Sequence, residues 1–228
     1  GYEAGKAMTT GVQNTIIGGL AGDAITTGAN NVVIGYEAAT LLTTGTNNTF
    51  VGNAAGRNFD AGSENVAIGE SALRTAGTKN FNVAVGPQTG AAITTGAENI
   101  LMGYAAGQAL TTGIRNIAIG RNALMTENAH VANVAIGHEA LKLQDAGADA
   151  YNVAVGYTAG KDVTTGVRNL ILGGSSGESL TTGEKNVFLG YAAGNAITVA
   201  DFNVAIGESS LITNILSNKN TAIGKSAL

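Results

Sequence analysis

The sequence has no cysteine and no tryptophan, one proline, two histidines, and charged residues at only 12% of its length. Without cysteine there is no disulfide framework and no thiolate metal site. No run reaches the 18 or so apolar residues of a helical membrane span, so no membrane insertion is expected, and no signal peptide is recognisable. Lys and Arg number 12 against 16 Asp and Glu, for a scattered net charge of −4. No basic patch tracks a phosphate backbone, so nucleic acid is not expected as a partner. Against the single Pro stand 34 Gly. Their fixed phase marks turns, and collagen's Gly at every third residue is absent.

What is present is a repeat. Asn65-Val66-Ala67-Ile68-Gly69 returns as Asn82-Val83-Ala84-Val85-Gly86, Asn116-Ile117-Ala118-Ile119-Gly120 and Asn203-Val204-Ala205-Ile206-Gly207. Counting every version, Asn stands at 14, 31, 48, 65, 82, 99, 116, 133, 152, 169, 186, 203 and 220, always 17 apart except for one step of 19 between Asn133 and Asn152. A Gly follows each of these Asn by four residues, as at Gly69, Gly86, Gly103, Gly120 and Gly137. A fixed period over all 228 residues predicts a solenoid of stacked coils. The expected fold is all-β, a parallel β-solenoid or β-roll of about thirteen 17-residue coils, read as one domain over 1–228. Stacked at about 4.8 Å per strand, the twelve repeat steps would span roughly 60 Å. The chain opens and stops in mid-repeat, which suggests a segment of a longer protein.

Asn65, Asn82, Asn99, Asn116 and Asn133 are expected to stack as a structural ladder, each amide bonding the neighbouring coil. The three residues after each Asn are apolar nearly throughout, so both faces of that strand are expected to be covered. The first and third are assigned to the inside. The middle row, with Ala67, Ala84, Ala118, Ala135, Ala154 and Ala205, is assigned to an interface between identical chains around a threefold axis. The corner eight residues after Asn is most often Gly and otherwise mainly Leu. A second short strand is expected at Thr-Thr in the Gly-type coils, as at Thr26-Thr27 and Thr94-Thr95, with breaks near Ala61, Lys79, His130 and Ala200. The stretch from Lys142 to Tyr151, with its two extra residues, reads as a surface bulge.

The Asn-x-Ala-Ile-Gly core, with a small residue three further on such as Ala72, resembles the head repeat of trimeric autotransporter adhesins, whose repeat is usually shorter. The longer unit, with Ala-Gly or Ala-Leu after the core and Thr-Thr-Gly before the next Asn, is similar to repeats of phage tail-fibre and tail-spike proteins. The resemblance covers the whole chain. It implies a left-handed, homotrimeric β-roll on a virion tail or cell surface. It transfers no binding residue, because the matching positions are structural ones.

Signals of catalysis are poor. His130 and His138 read as solvated imidazoles, and no acid pair or Ser-His-Asp arrangement can be placed by spacing. No enzyme activity, cofactor or metal is expected. Tyr36, Tyr104, Tyr157 and Tyr191 share the position after the repeated Gly, where they would either shield the corner or grip a host glycan or surface protein. The favoured function is a rigid extracellular fibre segment for attachment. The alternatives are an adhesin head that binds glycan or matrix directly, a filament of chains joined end to end, and an ice-binding Thr face.

Overall fold

The computed structural model describes residues 1–75, 77, 80–147, 149–213 and 216–228. The fold is a parallel β-solenoid in which each coil contributes one three-residue strand. The chain divides into two compact units, Gly1–Ile114 and Arg115–Leu228. The first holds β1 (Thr15–Ile17), β2 (Val32–Ile34), β3 (Thr49–Val51), β4 (Val66–Ile68), β5 (Val83–Val85) and β6 (Ile100–Met102), each paired with the next in parallel. The second holds β7 (Ile117–Ile119), β8 (Val134–Ile136), β9 (Val153–Val155), β10 (Leu170–Leu172), β11 (Val187–Leu189), β12 (Val204–Ile206) and β13 (Thr221–Ile223), paired in the same way. The register sets like on like: Ala67 lies opposite Ala84, and Ile171 opposite Phe188. The β8–β9 pair keeps Ala135 opposite Ala154, so the two extra residues between Asn133 and Asn152 are absorbed outside the strand.

The Asn ladder runs inside. Asn31 donates its backbone N–H and its Nδ2 to Asn14 Oδ1, at 2.9 and 3.1 Å, and Nδ2 also reaches Gly45 O at 2.9 Å. In the second unit Asn186 repeats this with Asn169 and Ala200. A fully buried carboxamide is tolerable because its donors and its acceptor are used.

The Gly four after Asn ends the strand for two reasons at once. Gly69 has φ +134°, and a Cβ there would stand 2.6 Å from the carbonyl of Gly86 in the next coil. Neither an L side chain's backbone preference nor its volume fits.

The strand faces opposite to expectation. Ala67, Ala84, Ala118, Ala135, Ala154 and Ala205 are fully buried within the single chain, and so are Phe50, Leu101, Ile171 and Phe188 in the same row. The middle residue points into the coil, and the first and third point out. The assignment of those six alanines to an interface between chains is therefore corrected: no surface remains on them to share. The reason lies across the coil. A large middle residue faces a Gly corner, as in Phe50 with Gly56, Leu101 with Gly107 and Phe188 with Gly194, where a Cβ would come within 3 Å of the side chain. An Ala faces a buried Leu corner, as in Ala67 with Leu73, Ala118 with Leu124, Ala135 with Leu141 and Ala205 with Leu211. Where both are small, neighbouring coils lean in: the space at Gly90 is bounded by Leu73 and Leu101, and that at Gly160 by Leu141 and Ile171. The interior thus holds near-constant volume, as close packing demands.

The Thr-Thr stretch forms no second strand among the described residues; its break at Lys79 lies outside them. Instead of an extended ladder, the N–H groups of Thr94, Thr95 and Gly96 converge on one carbonyl, Thr111 O, at 2.9 to 3.3 Å. The Thr94 hydroxyl donates to the same oxygen at 3.2 Å. Three consecutive donors aimed at one acceptor curl the backbone into a turn. The other Thr of each pair, such as Thr27 or Thr95, is exposed.

Candidate functional site

The most extensive unusual surface is the outward strand face. In the second unit the first and third residues of β7 to β12 are all Val, Ile or Leu, and all stay half-buried in a single chain. In the first unit the row includes Ile17, Ile68, Ile100 and Met102, each exposed. Ordinary half-wet strands alternate apolar with polar. Here both faces are apolar, and only the inner one is covered by the coil.

Tyr36, Tyr104, Tyr157 and Tyr191 project from the corner after the repeated Gly, exposed by 45 to 64%. The rings of Tyr36, Tyr157 and Tyr191 lean on the preceding coil. A Cβ on Gly19 would stand 3.4 Å from the Tyr36 ring, and one on Gly174 3.5 Å from that of Tyr191. Tyr157 stacks on His138, with ring centroids 5.1 Å apart and planes 9° apart. In the first unit Ser71, Arg74, Gln88, Ala91 and Gln108 line a shallow groove of about 190 Å³, in which Gln108 Nε2 donates to Gln88 Oε1 at 2.8 Å.

Neither histidine is the solvated imidazole expected from sequence. His138 lies under Tyr157 with Nδ1 buried. His130 is 12% exposed and holds its Nδ1 2.5 Å from Oε1 of Glu127, a fully buried carboxylate, with Asp145 Oδ1 at 3.8 Å. The same Oε1 accepts the N–H groups of Asn128 and His130 at 3.0 and 3.1 Å. Glu127 Oε2 has no partner among the described residues. Sequence reading passed over this cluster because Glu127, three residues before His130, looks like one more surface acid. The signal lies in the alignment of coils: the position eleven after Asn is filled by buried Ile25, Leu42, Ile93, Leu110, Val163, Leu180 and Ile197 elsewhere, and by Glu127 and Gln144 here.

On a nearby corner, Glu139 accepts from Lys142 Nζ at 2.8 Å, and this bond leads the effects that hold its carboxyl below the ordinary value of 4.5.

No protein-family model, curated protein or solved structure matches the chain.

Proposed function

We propose that this chain is a self-associating structural segment of an extracellular fibre, on a virion tail or cell surface, in which three copies pack their outward strand faces around a common axis. The observation that carries this reading is the outward apolar row of β7 to β12, two aliphatic side chains per strand without one charge. A contiguous apolar row of this kind on a soluble chain marks an interaction surface. It repeats at the strand spacing, and a second copy of the same chain presents the same side chains at the same spacing. The role is mechanical: a rigid shaft or head, without catalysis, that holds an attachment function away from its base.

Light scattering on the 228-residue chain tests this. Three times the 22.7 kDa chain mass supports the reading. A stable monomer at the same concentration overturns it.

A second reading, direct adhesion, rests on the exposed Tyr row and on the groove around Arg74, Gln88 and Gln108. Amphipathic rings and polar groups of this kind suit sugars. Binding to a glycan array by the wild type, lost in a variant with Tyr157 and Tyr191 replaced by Ala, distinguishes it from a pure spacer.

A further inference from the structure

We propose that Glu127, His130 and Asp145 form a binding site for a divalent transition-metal ion, with Zn²⁺ the best fit. The proposal is independent of the oligomeric state, because all three residues lie in the second unit of one chain.

Three departures from the repeat coincide at this place. Glu127 takes a position that is apolar and fully buried in most other coils. His130 takes the position of Gly28, Gly45, Gly96, Gly166 and Gly183, where a side chain ordinarily meets the next coil: a Cβ on Gly166 would stand 2.4 Å from Gly183 O. The next coil is the one lengthened to 19 residues. Its two extra residues fall between Asp145 and Ala150, which keep the usual backbone bonds with Thr164 and Arg168, and Gly147 in that stretch stands clear of the row, since a Cβ on it would meet nothing within 4 Å. The insertion thus makes room for the imidazole. Asp145, at a position held by Thr in most coils, supplies the third group, and its backbone N–H keeps the usual bond, to Thr164 O at 2.9 Å. The ladder bond also survives, from Asn116 Nδ2 to His130 O at 2.9 Å. A change that costs packing at one position and is accommodated at two others, with the bond from Asn116 to the His130 carbonyl kept, reads as a built site rather than a drifted coil.

The electrostatics point the same way. A carboxylate removed from water needs a partner for each oxygen. Glu127 Oε1 accepts two backbone N–H groups and meets His130 Nδ1, while the equally buried Oε2 has no partner among the described residues. The ligand atoms of Glu127, His130 and Asp145 lie within 4.8 Å of one another. Around a tetrahedral Zn²⁺, with bonds of about 2.0–2.2 Å, ligand atoms sit about 3.3 Å apart. The observed separations of 2.5 Å from His130 Nδ1 to Glu127 and 3.8 Å to Asp145 bracket that value. An ion that replaces the Nδ1 proton would push the first pair apart and draw the second together by less than an ångström each. Asp145 is 54% exposed, which leaves an entry path and an open coordination position on the solvent side. One imidazole with two carboxylates suits Zn²⁺, Mn²⁺ or Co²⁺ better than Mg²⁺ or Ca²⁺, which take oxygen ligands. This inference replaces the expectation, from sequence, of no metal.

The test is calorimetric titration of the chelator-treated chain with ZnCl₂. The expected result is one saturable Zn²⁺ per chain, with affinity reduced at least about tenfold in Asp145→Asn and in His130→Ala and unchanged in His138→Ala. Asp145→Asn alters a half-exposed side chain, so its circular dichroism should match the wild type and its result stands even if changes at Glu127 disturb folding. Absence of saturable binding of Zn²⁺, Mn²⁺ and Co²⁺ by the folded chain overturns the proposal. So does wild-type affinity in Asp145→Asn and His130→Ala, or a preference for Mg²⁺ or Ca²⁺.

Discussion

Phe50 and Gly56 share one space: a Cβ on Gly56 would stand 2.5 Å from Phe50 Cδ1. Seventeen residues later the same two positions are Ala67 and Leu73, both fully buried, with Leu73 taking the left-handed backbone (φ 48°) that Gly56 takes at 59°. The two corner designs are alternative ways to fill one cross-section.

This makes a double-mutant cycle informative. Phe50→Ala alone is expected to lose about 3–5 kcal/mol by leaving a cavity next to Phe59, whose ring centroid is 5.2 Å from that of Phe50. Gly56→Leu alone overfills the coil. The pair together rewrites this coil in the Ala67/Leu73 form and should recover most of the loss. Denaturant titration of the four proteins checks it, and additive losses would sink the complementarity argument.

The strand's two faces should separate folding from assembly. Ala118→Glu puts a charge inside the coil and is expected to abolish folding of the neighbouring coils, seen as lost β-signal in circular dichroism. Ile119→Glu and Val155→Glu alter half-buried outward residues. They should leave the β-signal intact and reduce the native mass to that of one chain. A folded Ile119→Glu, Val155→Glu double variant of unchanged oligomeric mass would remove the outward face as the interface.

Removal of one rung of the ladder should be felt in both directions. Asn186→Ala deletes donors to Asn169 Oδ1 and Ala200 O and the acceptor for Asn203. Several buried groups are then unpaired, for a loss of about 3 kcal/mol or more. Asn220, part-buried near the end of the chain, should cost under about 1.5 kcal/mol when changed to Ala, since solvent replaces its partners. Hydrogen exchange at the Asn203 amide reads the first effect directly. Equal protection in wild type and Asn186→Ala would contradict it.

The Glu139–Lys142 pair predicts a pH dependence of defined sign. The hydrogen bond from Lys142 lowers the folded-state pKa of Glu139 below its ordinary value of 4.5. Its contribution is therefore fully present above that value and is lost as pH falls through the lowered one. Because the pair is partly exposed, Glu139→Gln should cost less than about 1 kcal/mol at pH 7. At low pH the wild-type carboxyl is protonated too, and the difference from Glu139→Gln should vanish. A difference that persists at the lowest pH at which the chain stays folded, with no fall across the acid limb, would show that the effect is not ionic.

The period, the coil and the ladder were legible in sequence because the residues that make them are nearly invariant from coil to coil: Asn for its bonds on both sides, and the Gly after the strand for its φ and its close approach to the next coil. The direction of the strand was harder to read. Ala67 and Ala84 look like a seam between chains when the strand is read alone; only pairing Phe50 with Gly56 and Ala67 with Leu73 shows that middle residue and corner fill the same interior. The Thr pairs have strand-like composition, yet convergence of three N–H groups on one carbonyl is a property of the backbone that side-chain preference does not encode. Glu127 and His130 become conspicuous only against the residues at their positions in other coils.

The backbone bonds that join one coil to the next link residues separated by close to one repeat, such as Thr15 to Asn31 and Gly22 to Ala38 in the first unit. A coil therefore recognises its neighbour by phase and not by address. Loss or duplication of a whole repeat of coding sequence would leave every remaining bond with an equivalent partner, provided the interior volumes on either side of the junction agree. Deletion of a single residue within a strand would misplace Asn or the strand-ending Gly against the coils on either side of that one coil, while later coils would keep their register with one another, as they do after the 19-residue step. Heritable variation in such a chain should then be quantised: its length can drift in whole repeats while its cross-section stays fixed.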